Sequence, residues 1–172
     1  MKSLEPPDSH YLQAAIGWLE LGNHLEANEE LEKITPELRA HPDVLEVRYQ
    51  IYAKAEKWEM ADEIAHTLNR IHPLAPQFWL WRAYATRRMP GGGILQAQEI
   101  LINAQPLFPK VWTIPYNLAC YCAQTGRLEE CKMWFKMAMN IDEKTVKLAA
   151  VVDPDLQPLW DSMGGTTWKR VE

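Results

Sequence analysis

Apolar and small residues return along this chain at helical spacing, and the helices they predict return as copies. The clearest column is a small residue in the second helix of each copy: Ala27, Ala61, Ala97 and Cys131, spaced by 34, 36 and 34 residues. Four positions on stand Leu31, Ala65, Leu101 and Phe135, and three further come Ile34, Leu68, Ala104 and Ala138. A fourth column, His24, Trp58, Ile94 and Leu128, sits just after each turn between helices. Residues at i, i+4 and i+7 share one face of a helix. Four such stripes in register mean four copies of one helix pair. A single pair cannot bury its own apolar face, so the copies must stack. The pattern predicts an all-α solenoid.

Punctuation supports that reading. Asp8 or Ser9 is placed to cap a first helix that runs to about Leu21 and stops at Gly22-Asn23. Tyr11, Ala14, Ala15 and Trp18 form its core stripe. The second helix covers His24 to Ile34, and Thr35-Pro36 predicts a short extra turn before His41-Pro42. Pro73 ends the second copy, and the third starts near Pro76 with an aromatic run, Phe78, Trp79, Trp81 and Tyr84. Met89-Pro90-Gly91-Gly92-Gly93 accounts for the two extra residues and predicts a long, mobile turn. It lacks the Lys-Ser/Thr ending and the preceding strand of a phosphate-binding loop. Pro106 and Pro109 precede the fourth copy, and Pro115 falls early in its first helix, where a missing N–H is tolerated. Glu143 to Val151 reads as a further helix. Asp153-Pro154 then restarts a short one whose stripe is Leu156, Leu159 and Trp160, matched to Leu148 and Val152.

The stretch from Tyr116 to Cys131, continuing into Trp134, Phe135 and Ala138, resembles a tetratricopeptide (TPR) repeat. Leu118-Ala119 fills the family's small pair at the helix crossing, Gly126 its turn and Leu128 the aromatic position after it. Cys131 stands at the alanine, with Phe135 and Ala138 at the last two core positions. The resemblance covers residues 8–163. It implies a right-handed superhelical α-solenoid of about four helix pairs, 8–41, 42–75, 76–111 and 112–143. Capping helices follow over 144–163, between a frayed lead at 1–7 and a tail at 164–172 in which Trp168 is an apolar anchor. The ending, Asp153-Pro154-Asp155-Leu156 with Pro158-Leu159-Trp160, is similar to bacterial TPR proteins of mostly unassigned partner.

The resemblance also implies a concave groove lined by the first helix of each pair. By its register the second pair contributes Glu46, Val47, Gln50, Ala53 and Lys54. The third contributes Leu80, Trp81, Tyr84, Arg87 and Arg88, and the fourth Tyr116, Asn117, Cys120, Ala123 and Gln124. The partner-binding candidates are Gln50, Lys54, Trp81, Tyr84, Arg87, Arg88, Tyr116, Asn117 and Gln124. Aromatic area held at low entropy cost, together with arginine and amide donors, suits a peptide. The family's carboxylate clamp is not carried over, because only Asn117 matches it, while Leu12, Ile16, Glu46 and Val47 do not. Trp18, Trp58 and Trp79 fall on core positions. Arg48 and Arg82 stand where leucine is usual, so each is expected to meet a carboxylate or helix-end carbonyls, or else to lead its head out to water.

Composition narrows the function class. The chain has 172 residues and is 47% apolar, enough to bury a core. A net charge of −5 argues against a partner with a phosphate backbone, and no apolar run reaches the ~18 residues of a membrane span. The opening Met1-Lys2-Ser3-Leu4-Glu5-Pro6-Pro7 has no signal-peptide core. Three cysteines, Cys120, Cys122 and Cys131, lie in one repeat and fit reduced packing thiols, which places the chain in the cytoplasm. His10, His24, His41, His66 and His72 are scattered, with no metal or nucleophile spacing, so no metal, cofactor or catalytic residue is expected. The function expected is a non-enzymatic scaffold or adaptor holding a protein or peptide partner, with self-association left open. The alternatives are a secretion-type TPR chaperone, for which an extra N-terminal dimerisation helix is missing, and a Cys/His metal protein.

Overall fold

The computed structural model describes residues 3–164, and all regular structure among them is helical. The chain divides after Gly92 into two compact units. Trp168 and the rest of the expected tail beyond Gly164 lie outside the described residues, as do Met1 and Lys2.

The first unit contains α1 (Asp8–Glu20), α2 (His24–Glu32), α3 (Pro42–Lys54), α4 (Trp58–Ile71) and α5 (Pro76–Arg88). Helix α1 pairs with α2, α3 with α4 and α4 with α5, and α1 also meets α3. The repeating small residues explain these pairings. Ala27, Leu31, Ile34, Ala61, Ala65 and Leu68 all have 0% exposure. An alanine at the crossing lets two helix axes approach closely, and the larger residue one turn on fills the gap this leaves. Phe78 of α5 closes the core over Leu45 and Leu68.

Two of the turns share one geometry. Gly22 takes φ 81°, and the Asn23 N–H donates to the Trp18 carbonyl at 2.9 Å. After α3, Glu56 takes φ 55°, and the Lys57 N–H donates to the Tyr52 carbonyl at 2.9 Å. Both are left-handed helix stops that satisfy carbonyls of the final turn.

The start of the chain differs from the expectation. Pro7, not Asp8 or Ser9, occupies the cap position of α1. Asp8 is buried and accepts from the Thr35 N–H at 2.6 Å and the Thr35 hydroxyl at 3.1 Å. Its carboxylate therefore ties the beginning of α1 to the link after α2, where the expected short turn forms at Pro36–Leu38. Leu4 packs on the core cluster of Leu12, Ala15 and Leu31. The glycine turn is also tighter than expected. A Cβ on Gly92 would lie 2.0 Å from the Thr86 carbonyl oxygen, so the chain closes directly over the end of α5.

The second unit contains α6 (Ile94–Ala104), α7 (Thr113–Gln124), α8 (Leu128–Ile141) and α9 (Glu143–Ala150), then a 3-10 turn (Pro154–Leu156) and α10 (Gln157–Ser162). Helix α7 is the centre. It packs on α6 and α8, and the 3-10 turn and α10 close over it. Gly126, φ 74°, repeats the helix stop, with the Arg127 N–H donating to the Cys122 carbonyl at 2.9 Å. Asp142 caps α9 by accepting from the Thr145 N–H at 3.0 Å. Asp153 caps the 3-10 turn by accepting from the Asp155 N–H at 2.9 Å. Leu156, Leu159 and Trp160 are buried as expected, but Leu148 and Val152 are 66% and 79% exposed. The buried stripe of α9 is Val146 and Ala150, one turn apart, which turns Leu148 outward. Val152 falls in the link after the helix.

Candidate functional site

Within the first unit, α1, α3 and α5 together with the start of α4 enclose an open cavity of about 540 Å³. Its apolar lining is Ile16, Leu19, Tyr49, Ala53, Trp58 and Tyr84, and its polar lining is Glu20, Gln50 and Lys54. Tyr84 remains 46% exposed. Trp58 meets Tyr84 edge-on at 5.6 Å. The Arg88 guanidinium lies 3.4 Å from the centre of the Tyr84 ring and 5.5 Å from that of Trp58, held by a bond to the Tyr84 carbonyl at 3.0 Å. A cation over two ring faces is attracted by their quadrupoles and stays pointed at one place. Trp81, though expected in the groove, is part of the wall behind it. Its ring stacks on Tyr49 at 4.4 Å, and the Tyr49 hydroxyl donates to its carbonyl at 2.9 Å. Arg87, half-buried on α5, already has a contact of its own.

A second cavity of about 340 Å³ adjoins the first and shares Ile16 and Gln50 with it. It is the more polar of the two, with Gln13, Asp43 and Glu46 beside Leu12 and Val47. Burial pushes the Glu46 carboxyl above the ordinary carboxylate range. Neighbouring Asp43 adds to that shift and His72 opposes it.

In the second unit the expected face of α7 is already covered by the chain itself. Tyr116 is only 6% exposed, and its hydroxyl donates to Asp153 Oδ2 at 2.8 Å. Cys120 Sγ lies 3.5 Å from the same oxygen, and Gln124 Nε2 donates to the Asp155 carbonyl at 2.9 Å. Positions 116, 120 and 124 are one stripe of α7, and the capped turn lies along it. Asn117 bonds inward to the Thr113 carbonyl at 2.7 Å. Tyr116 is therefore removed from any partner surface, while Gln124 stays exposed with its amide engaged by the turn. Burial pushes the Cys120 and Tyr116 groups well above their ordinary values, and Asp153 reinforces it. Burial also takes Cys131 up to about 12. All three cysteines are free and buried, and no group of three metal-ligating side chains gathers among the described residues. No described helix is long and apolar enough to cross a membrane.

No family description and no curated protein matches the sequence. Solved structures do. A thermophilic TPR protein of Thermus thermophilus is 18% identical, with a TM-score of 0.68 over 91% of this chain and 83% of its own. The chain has the tetratricopeptide-repeat fold. A MamA RS-1 double mutant superposes with a TM-score of 0.70 at 13% identity, over 83% of this chain and 79% of its own. MamA MSR-1 gives 0.64 at 15% identity, over 93% and 88%.

The TPR register picks out Gln50, Lys54, Tyr84 and Ala53, all of which line the larger cavity. It misses Trp58, which the repeat columns assign to packing, and Ile16, Leu19 and Glu20 of α1. The signal for Trp58 is its place directly after a turn, where a large ring overhangs the end of the preceding helix. Of the two unusual arginines, Arg48 pairs with Glu32 at 2.8 Å. Arg82 keeps a buried Nε with no hydrogen-bond partner among the described residues.

Proposed function

We propose that this chain is a non-enzymatic interaction module which holds a peptide or protein segment along the face of α1, α3 and α5. The observation that carries the reading is the open cavity of about 540 Å³ with Tyr49, Trp58 and Tyr84 in its lining and Arg88 fixed over two of those rings. Rigid aromatic area beside oriented cations is the composition of binding hot spots, and stacked helical repeats present such surfaces to partners. The buried, high-pKa thiols lack the thiolate that nucleophilic or redox chemistry requires. The test is affinity capture with wild type, with Tyr84→Ala plus Lys54→Glu, and with Leu148→Ser on α9 as the control. Partners held by this face are lost from the double variant and kept by the control. Recovery of the same proteins from all three overturns the reading.

A further inference from the structure

On α3, Glu46, Gln50 and Lys54 follow one another at i, i+4 and i+8, so they form a single row along the helix. The row runs from the smaller cavity into the larger. Of these two cavities Glu46 lines the smaller, Gln50 both and Lys54 the larger, and Glu46 also borders a further cavity on its other side, where His72 is the basic group. Gln50 and Lys54 are exposed, Glu46 is half-buried, and none of the three makes a hydrogen bond or ion pair with another described residue. Eight residues of helix separate the acid from the base, about 12 Å at 1.5 Å per residue, too far for them to neutralise each other. The ends of the row are reinforced in kind. Asp43 stands with Glu46 in the smaller cavity, and Arg88 covers rings that line the larger one. Glu20 also lines the basic end, where the two cations outnumber it by one charge. The groove is therefore acidic at one end, basic at the other and apolar between.

We propose that the occupant of this groove is a dipolar extended segment, with a basic residue against Glu46, an apolar residue over the Ile16–Tyr49–Ala53 floor and an acidic residue against Lys54 and Arg88. The inference rests on the proposed binding face and adds its charge order. A strand advances about 3.3 Å per residue, so residues four apart in the segment are about 13 Å apart, close to the length of the row. Residues 1, 3 and 5 of a strand point the same way, which puts the basic, apolar and acidic side chains all toward the floor. The Gln50 amide, midway along, offers both a donor and an acceptor to the segment's backbone. Burial and Asp43 raise the Glu46 carboxyl and His72 only partly opposes them, so a basic side chain brought against Glu46 would stabilise its charged form. Complementary charge at fixed spacing sets register and rejects wrong partners.

The test uses the full chain and four capped nine-residue probes, Gly-Ser-X-Ala-Leu-Ala-Z-Ser-Gly, titrated by fluorescence anisotropy. X and Z are Lys and Glu, Lys and Lys, Glu and Glu, or Gln and Gln. Wild type is expected to bind the Lys/Glu probe at least about tenfold tighter than the two like-charged probes. The preference should follow the protein's charges. Glu46→Lys should favour Glu/Glu, and Lys54→Glu should favour Lys/Lys, with unchanged circular dichroism. Equal affinity for all four probes overturns the charge order and leaves the binding face standing. No binding of any probe, with the intrinsic tryptophan emission of the chain unmoved, overturns both. The wild-type comparison among probes decides the matter even where a charge variant folds poorly.

Discussion

Tyr116 donates its hydroxyl to Asp153 Oδ2 at 2.8 Å, joining residues 37 apart in the chain. The same carboxylate caps the Pro154 turn through the Asp155 N–H and lies against Cys120 Sγ. Asp153→Ala removes a cap and a buried partner together and should lower stability by about 1–2 kcal/mol. It also lifts an acidic neighbour from a thiol that burial and Asp153 hold above its ordinary range. Cys120 should then react faster with a thiol reagent, located by peptide mapping, while Cys122 and Cys131 keep their rates. Unchanged Cys120 labelling would mean that the turn stays seated without this carboxylate.

Glu56 occupies, at φ 55°, the helix-stop position that Gly22 holds after α1 and Gly126 after α7. A side chain in the left-handed region costs about 1–2 kcal/mol, and glycine's extra freedom in the unfolded chain offsets part of that. Glu56→Gly should therefore raise stability by about 0.5–1 kcal/mol, seen as a higher denaturant midpoint with an unchanged slope. A lower midpoint would mean that the glutamate makes up for its backbone in some other way.

The fold was legible because its core rule is local. Ala27, Ala61, Ala97 and Cys131 are small wherever two helices cross, and that requirement repeats with the helix pair. The site was only half legible for the opposite reason. The repeat rule places Gln50, Lys54 and Tyr84 on an inward face, but it cannot say what else lies on that face. Tyr116 obeys the rule as well as Tyr84 does. One is covered because Asp153 arrives from far along the chain, and the other stays 46% exposed. Asp8 likewise reads as an ordinary cap until its distant partner Thr35 is known. Extending the α10 stripe back across a link puts Leu148 inward, but helical phase does not carry across a link, and Leu148 faces out.

Two glutamates should respond to pH with opposite signs. A hydrogen bond and ion pair with Arg48 hold the Glu32 carboxyl below the ordinary 4.5, with Arg39 adding to this. A depressed carboxyl stabilises the fold above its unfolded pKa, and that contribution disappears as pH falls through the folded value. Glu32→Gln should therefore lower stability at pH 7 and matter less below about pH 4, modestly in both cases because the pair is partly solvated. Glu46 is raised, chiefly by burial. Its ionised form works against the fold at neutral pH, and the penalty is relieved as pH falls through the raised value. Glu46→Gln should then raise stability at pH 7, with the gain shrinking toward pH 4. Thermal melts of both variants across that range check the signs. The same sign for both would mean that neither shift governs stability.

Trp160 is 5% exposed and meets Phe135 edge-on at 5.6 Å, an apolar contact between α10 and α8. Truncating a buried tryptophan costs about 3–5 kcal/mol through lost burial and the cavity left behind. Where that cost appears depends on how stability is distributed. In a repeat array each unit contacts only its neighbours, so stability is close to a sum of local terms. Trp160→Ala should then reduce hydrogen-exchange protection in α7 and α8, which the turn and α10 cover, while α1 to α4 keep theirs. Asp153 and Leu156 remain in place in this variant, so the change isolates the packing of the last helix from its cap. Protection lost equally from α1 through α8 would mean that the whole array opens as one cooperative unit, and α10 would then be part of a shared core and not a local cap.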